Sequence, residues 1–108
     1  MAGPGISLRD MQERYQLSED LLSTEVSEEH LEKASRIIAD HEILGTALGI
    51  TSAEVGQGKR PEIQRLEMLR RWKQKLIWKA TYRILMEALL KWERADYARD
   101  ICVLMAQS

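Results

Sequence analysis

The sequence predicts an all-α fold, a six-helix antiparallel bundle with an N-terminal arm in front of it. Three observations carry this reading. From Leu31 onward, apolar residues recur at spacings of three and four, the repeat of one helix face. Helix-favouring Leu, Ala, Glu, Lys and Arg are abundant, and only two prolines and six glycines interrupt 108 residues. Runs of β-branched residues that would build strands are missing.

Each element follows from local signals. Residues 1–5 read as a tail, and residues 1–24 as an arm or linker. Leu8, Met11, Tyr15 and Leu22 give that arm a loose helical rhythm, enough for one helix over 7–15, either frayed or docked. Ser27 with Glu28, Glu29 and His30 is a helix start, a hydroxyl cap followed by acids. Leu31, Ala34, Ile37 and Ile38 extend that helix over 28–39. Asp40 caps a helix over 41–48, which Gly49 stops. Thr51 caps a short helix over 52–57, broken by Gly56 and Gly58. Pro61 opens the next helix, where its missing N–H costs nothing. Its expected buried stripe is Ile63, Leu66, Leu69, Trp72 and Leu76. Thr81 caps a helix carrying Ile84, Leu85, Ala88, Leu89 and Trp92. The last helix begins near Arg94 and carries Tyr97, Ala98, Ile101, Leu104 and Met105. Connections this short join antiparallel neighbours.

Composition excludes several function classes. With 44% hydrophobic and 31% charged residues, the chain is a folded domain rather than a disordered one. A formal charge of −1 argues against coating nucleic acid or a membrane. The longest apolar run falls far short of the ~20 residues of a membrane span. The start of the chain does not read as a signal peptide. One cysteine, Cys102, fits a reducing, cytoplasmic setting. Near-neutrality nevertheless hides two poles. Residues 1–54 hold 11 acids and 4 Lys or Arg, whereas residues 55–108 hold 6 acids and 12 Lys or Arg. Unless the fold interleaves them, one surface is acidic and another basic, which suits head-to-tail docking.

The order of motifs resembles a death domain over residues 25–106. HEILGTALGITSAEV (41–55) looks like that family's second helix, Leu-Gly corner and third helix. QRLEMLRRWKQK (64–75) looks like its Met-Leu-x-x-Trp signature, with Met68, Leu69 and Trp72. KATYRILMEALLKWERADYARDIC (79–102) looks like its Ala-Thr, Ala-Leu and Arg-x-Asp-x-Ala pattern. The set is similar to death domains of invertebrate signalling proteins. The resemblance implies a non-enzymatic six-helix module without cofactors. Such modules bind other death domains, or copies of themselves, through polar patches. They act as adaptors in cytoplasmic signal transduction, apoptosis or innate immunity, with salt-sensitive self-association.

Candidate contact residues follow from charge. Arg65, Arg70, Arg71 and Lys73 are placed to meet Glu28, Glu29 and Glu32 of a neighbouring copy. The plainer alternative is a solvated helix face with local ion pairs worth ~0.2–1 kcal/mol each. Lys59 and Arg60 lie in a loop that the family uses for contacts, and Arg94 is a further contact candidate. Asp96 suits the start of the last helix. Trp72 is a core residue and Trp92 is partly buried. Trp78 is read as a lid on the core, with a binding anchor as the alternative. His30, His41 and Cys102 show no spacing of a metal site or a Cys–His nucleophile. GQGKR (56–60) lacks the spacing of a phosphate loop. The second functional reading is a helix-turn-helix DNA-binding domain on ILGTALGITSAEV. Against it stand the glycines at 56 and 58, Glu54, and the acidic first half.

Overall fold

Five helix starts share one local chemistry. The structure, a computed structural model, describes residues 7–55, 58 and 60–107. Ser7, Ser18, Ser27, Asp40 and Thr81 each accept a hydrogen bond from the N–H three residues on, at 3.0–3.3 Å. They open α1 (Leu8–Tyr15), α2 (Glu19–Leu22), α3 (Glu28–Ile37), α4 (His41–Leu48) and α6 (Tyr82–Lys91). Each such cap stabilises its helix by ~1 kcal/mol relative to alanine. After α4 come one 3-10 turn, η1 (Ser52–Val55), and α5 (Pro61–Leu76); α7 (Ala95–Ala106) follows α6. The chain is all-helical among the described residues, apart from one isolated antiparallel bridge between Glu25 and Thr81.

Where the chain reverses, backbone freedom decides. Gly49 ends α4 in the left-handed region, φ 71°, and its N–H returns to the carbonyls of Gly45 and Thr46. A Cβ at Gly45 would stand 2.9 Å from the Ile50 carbonyl oxygen, so only glycine allows that close return. Of the helix predicted over 52–57, residues 52–55 form a single 3-10 turn, and residues 56, 57 and 59 lie outside the described residues. The helix expected over 28–39 ends at Ile37, because Asp40 must leave the helix to cap α4.

The arm is docked rather than frayed. Met11, Leu17, Leu22 and Val26 are buried in the same core as Leu31, Leu44, Leu69, Leu89 and Ile101. α1 packs on α6 and α7, α3 on α5 and α7, and α4 on α5 and α6. The Met11 and Met86 sulfurs each lie 3.9 Å from the Cys102 thiol, tying α1, α6 and α7 together. Val26 N–H donates to the Ala80 carbonyl at 2.8 Å, and Tyr82 N–H to the Thr24 carbonyl at 3.2 Å. The entry to α3 is thereby laced to the entry to α6. The turn α2 was not anticipated, although Ser18 caps it as Ser27 caps α3.

Two stripes hold at their centres and differ from expectation at their edges. In α5 the buried residues are Met68, Leu69 and Trp72, and Ile63 is exposed. In α6 they are Tyr82, Leu85, Met86 and Leu89, and Ile84 is exposed. Both isoleucines stand at an edge of the apolar arc, near the start of a helix. Trp92 is 44% exposed at the end of α6.

Candidate interaction surface

The acidic and basic poles meet inside one molecule. α3 lies against α5, and ion pairs join α5 to α3 and to the segment just before it. Arg70 Nε is 2.5 Å from Glu28 Oε1, and Lys73 Nζ is 3.7 Å from Glu25. Lower in the fold, Glu54 on η1 takes Lys75 at 2.5 Å and Arg71 at 3.8 Å. The Lys75 ammonium, followed by the Thr51 N–H, holds the Glu54 carboxyl down at about 2, well below its ordinary 4.5. Along α5 the fold therefore interleaves the two poles, the condition under which two separate charged surfaces are not expected. Helix packing places Arg70, Arg71, Lys73 and Lys75 of α5 within reach of carboxylates that are distant in sequence. These are surface pairs, worth ~0.2–1 kcal/mol each, so exchange for partners on another molecule is energetically inexpensive.

The other candidates divide by role. Arg65 is structural: its Nε donates to the Ser35 carbonyl at 2.9 Å and its Nη1 to the Ala39 carbonyl at 3.3 Å. It thereby satisfies carbonyls at the end of α3, where a helix has no acceptors' partners of its own. Arg94 is structural too. It forks onto Asp96 at 2.9 and 3.1 Å, reaches Asp40 at 3.5 Å, and stacks 4.0 Å above the Tyr97 ring. The Tyr97 hydroxyl in turn accepts from the Asp40 N–H at 3.0 Å. This latch fastens the start of α7 to the α3–α4 corner, and Arg94 lowers the carboxyl pKa of Asp96. Glu29 pairs with Lys33 along α3 at 3.4 Å. Glu32 and Arg60 are exposed, and Lys59 lies outside the described residues.

One feature of this surface overturns an expectation. Trp78 is not a lid on the core. It is 82% exposed, beside Ile77 at 61%. Both residues take positive φ, 35° for Ile77 and 61° for Trp78. A β-branched residue at positive φ is an outlier that the surrounding structure must hold in place. Lys79 N–H returns to the Leu76 carbonyl at 3.3 Å and Thr81 N–H to the Lys79 carbonyl at 2.9 Å, which fixes the turn. The sequence signal was present, an apolar Leu76-Ile77-Trp78 run at a helix junction. Its direction depends on the turn and not on any helical period.

A recess lies farther back along α5. Gly45, Gly49, Ile50 and Met68 line it, with Glu42 and Thr46 also at its wall. Glu42 is exposed and makes no ion pair with any described residue.

Other chemistry can be placed as well. Among the described residues, no group of three or more His, Cys, Asp or Glu gathers as a metal site. His30 Nδ1 shares a hydrogen bond with the Tyr82 hydroxyl. Burial pushes the Cys102 thiol up to about 11, so it is protonated and inert at neutral pH. The described part of the segment required as a recognition helix in the DNA-binding reading is the 3-10 turn η1, and its Glu54 pairs with Arg71 and Lys75 of α5. Among the described residues no helix is long and apolar enough to cross a membrane. The chain matches no protein-family model, no curated protein and no solved structure.

Proposed function

We propose that this chain is a death-fold interaction module that assembles cytoplasmic signalling complexes by docking on other death domains or on copies of itself. In this reading residues 25–106 form the six-helix antiparallel bundle, with η1 as its short third helix, and residues 1–24 are an added arm. The module is not an enzyme. The observation that carries the reading is the alignment of motif with element. The three motif blocks fall on α4 with η1, on α5, and on α6 with α7, and Met68, Leu69 and Trp72 of the signature are buried together. The exposed, weakly paired charges of α3 and α5 supply exchangeable polar contacts.

Molar mass by light scattering, across concentration and at low and high salt, tests the reading. Mass that rises with concentration and collapses in salt is expected. Reversing charge at Arg70 and Arg71 is expected to abolish assembly with the helical signal intact. A chain that stays monomeric and is also not retained by any of a panel of death-fold domains overturns the function.

A further inference from the structure

The geometry points to a head-to-tail contact between two copies of this chain, in which Trp78 of one enters the recess lined by Gly45, Gly49, Ile50 and Met68 of the next. The inference rests on the interaction reading above and names the surfaces for it.

The projecting half is built for display. Ile77 and Trp78 are the two most exposed large apolar side chains among the described residues. Their positive φ values hold them outward in a turn closed by backbone hydrogen bonds. The backbone of the turn is already ordered, so displaying the indole costs little further backbone entropy on binding. Its neighbour Lys79 is exposed and makes no ion pair with any described residue, whereas Lys73 and Lys75 already have carboxylates.

The receiving half is complementary. Exposed Gly49, with nothing within 4 Å of where a Cβ would stand, removes a side chain from its wall, so a flat ring can approach the backbone there. Ile50 and Met68, 3% and 1% exposed, close its floor from the core side. Glu42 offers an uncommitted carboxylate to Lys79, and Glu42 or Thr46 offers an acceptor to the indole N–H. A second apolar recess lies between α3 and α7, and its rim carries two cations, Lys33 and Arg36, against one carboxylate, Asp100, a poorer match for a lysine-flanked loop.

The two halves cannot meet within one molecule. Met68 is eight residues from Leu76 along α5, about 12 Å at 1.5 Å per residue. A contact between unlike surfaces of identical chains is heterologous, and it propagates unless its rotation closes a ring.

Two variants test this. Trp78→Ser removes the projecting half, and Glu42→Lys sets like charge against Lys79. Thr46→Trp, which fills the recess with its own ring, is the alternative for the second. All should keep the wild-type circular dichroism and melting temperature, because the changed side chains are exposed. In sedimentation velocity, wild type should grow with concentration, and each variant alone should associate at least tenfold more weakly. An equimolar mixture of the two should form dimers and stop there, since only one intact half of each kind remains. Lys79→Glu added to Glu42→Lys should restore growth. Association of Trp78→Ser at wild-type strength, or a mixture that stays monomeric, overturns the proposal while leaving the interaction function standing. A monomeric wild type that other death-fold domains still capture overturns it too.

Discussion

Trp72 and Trp78 stand six residues apart on either side of one helix end, and they have opposite fates. Trp72 is 3% exposed in the core, and Trp78 is 82% exposed in solvent. The difference lies in what sets side-chain direction. At Trp72 the helix has fixed it: one turn after Leu69 and Met68, the indole must share their face. At Trp78 the helix has ended, and the φ values of Ile77 and Trp78 turn the ring outward. The same side chain thus does packing work in one place and is available to a partner in the other.

The largest expected effect separates the two rings. Trp72→Ala should destabilise the fold by ~3–5 kcal/mol in denaturant unfolding, through lost burial and a cavity. The same truncation at Trp78 should stay within ~0.5 kcal/mol of wild type. Equal losses would show that Trp78 is packed after all. A smaller effect concerns the turn. Ile77→Gly relieves a β-branched residue at positive φ and should raise stability by about 1 kcal/mol, read as a higher midpoint in urea. A fall would mean that the Ile77 side chain contributes packing exceeding its strain. The smallest effect lies in the charge around α5. The Glu54 carboxyl is depressed to about 2 by Lys75, from an ordinary 4.5. Its contribution is therefore fully present above 4.5 and is lost as pH falls from 4.5 through about 2. Glu54→Gln should flatten the stability profile over that window only, leaving its shape at neutral pH unchanged.

Legibility in the sequence followed the same division. α3, α4 and α6 were readable because a capping side chain preceded an apolar period at each, with Gly49 as a stop for α4, and α7 was readable from its apolar period alone. Leu17 and Val26 were not recognisable as core, because they lie in connectors where no period applies. Ile63 and Ile84 were misplaced because a stripe read at spacings of three and four has edges uncertain by one residue. The ion pairs were hidden for a different reason. Glu28 and Arg70 are 42 residues apart, and only the packing of α3 on α5 makes them neighbours. The charged residues were visible in the sequence, but that Glu28 and Arg70 contact one another was not. The recess beside Gly45 was equally invisible, since it exists only where α4 crosses α5.

The sulfur trio of Met11, Met86 and Cys102 gives the arm a clock. The chain has one thiol, and it is buried where α1 covers α6 and α7. An alkylating reagent has to wait until α1 lifts away. Its saturating rate therefore counts openings of the arm, and the dependence of that rate on denaturant distinguishes local detachment from unfolding of the whole bundle. Met11→Ala should quicken the clock while leaving the rest of the bundle helical. A rate unchanged by that substitution would place the gate elsewhere than α1.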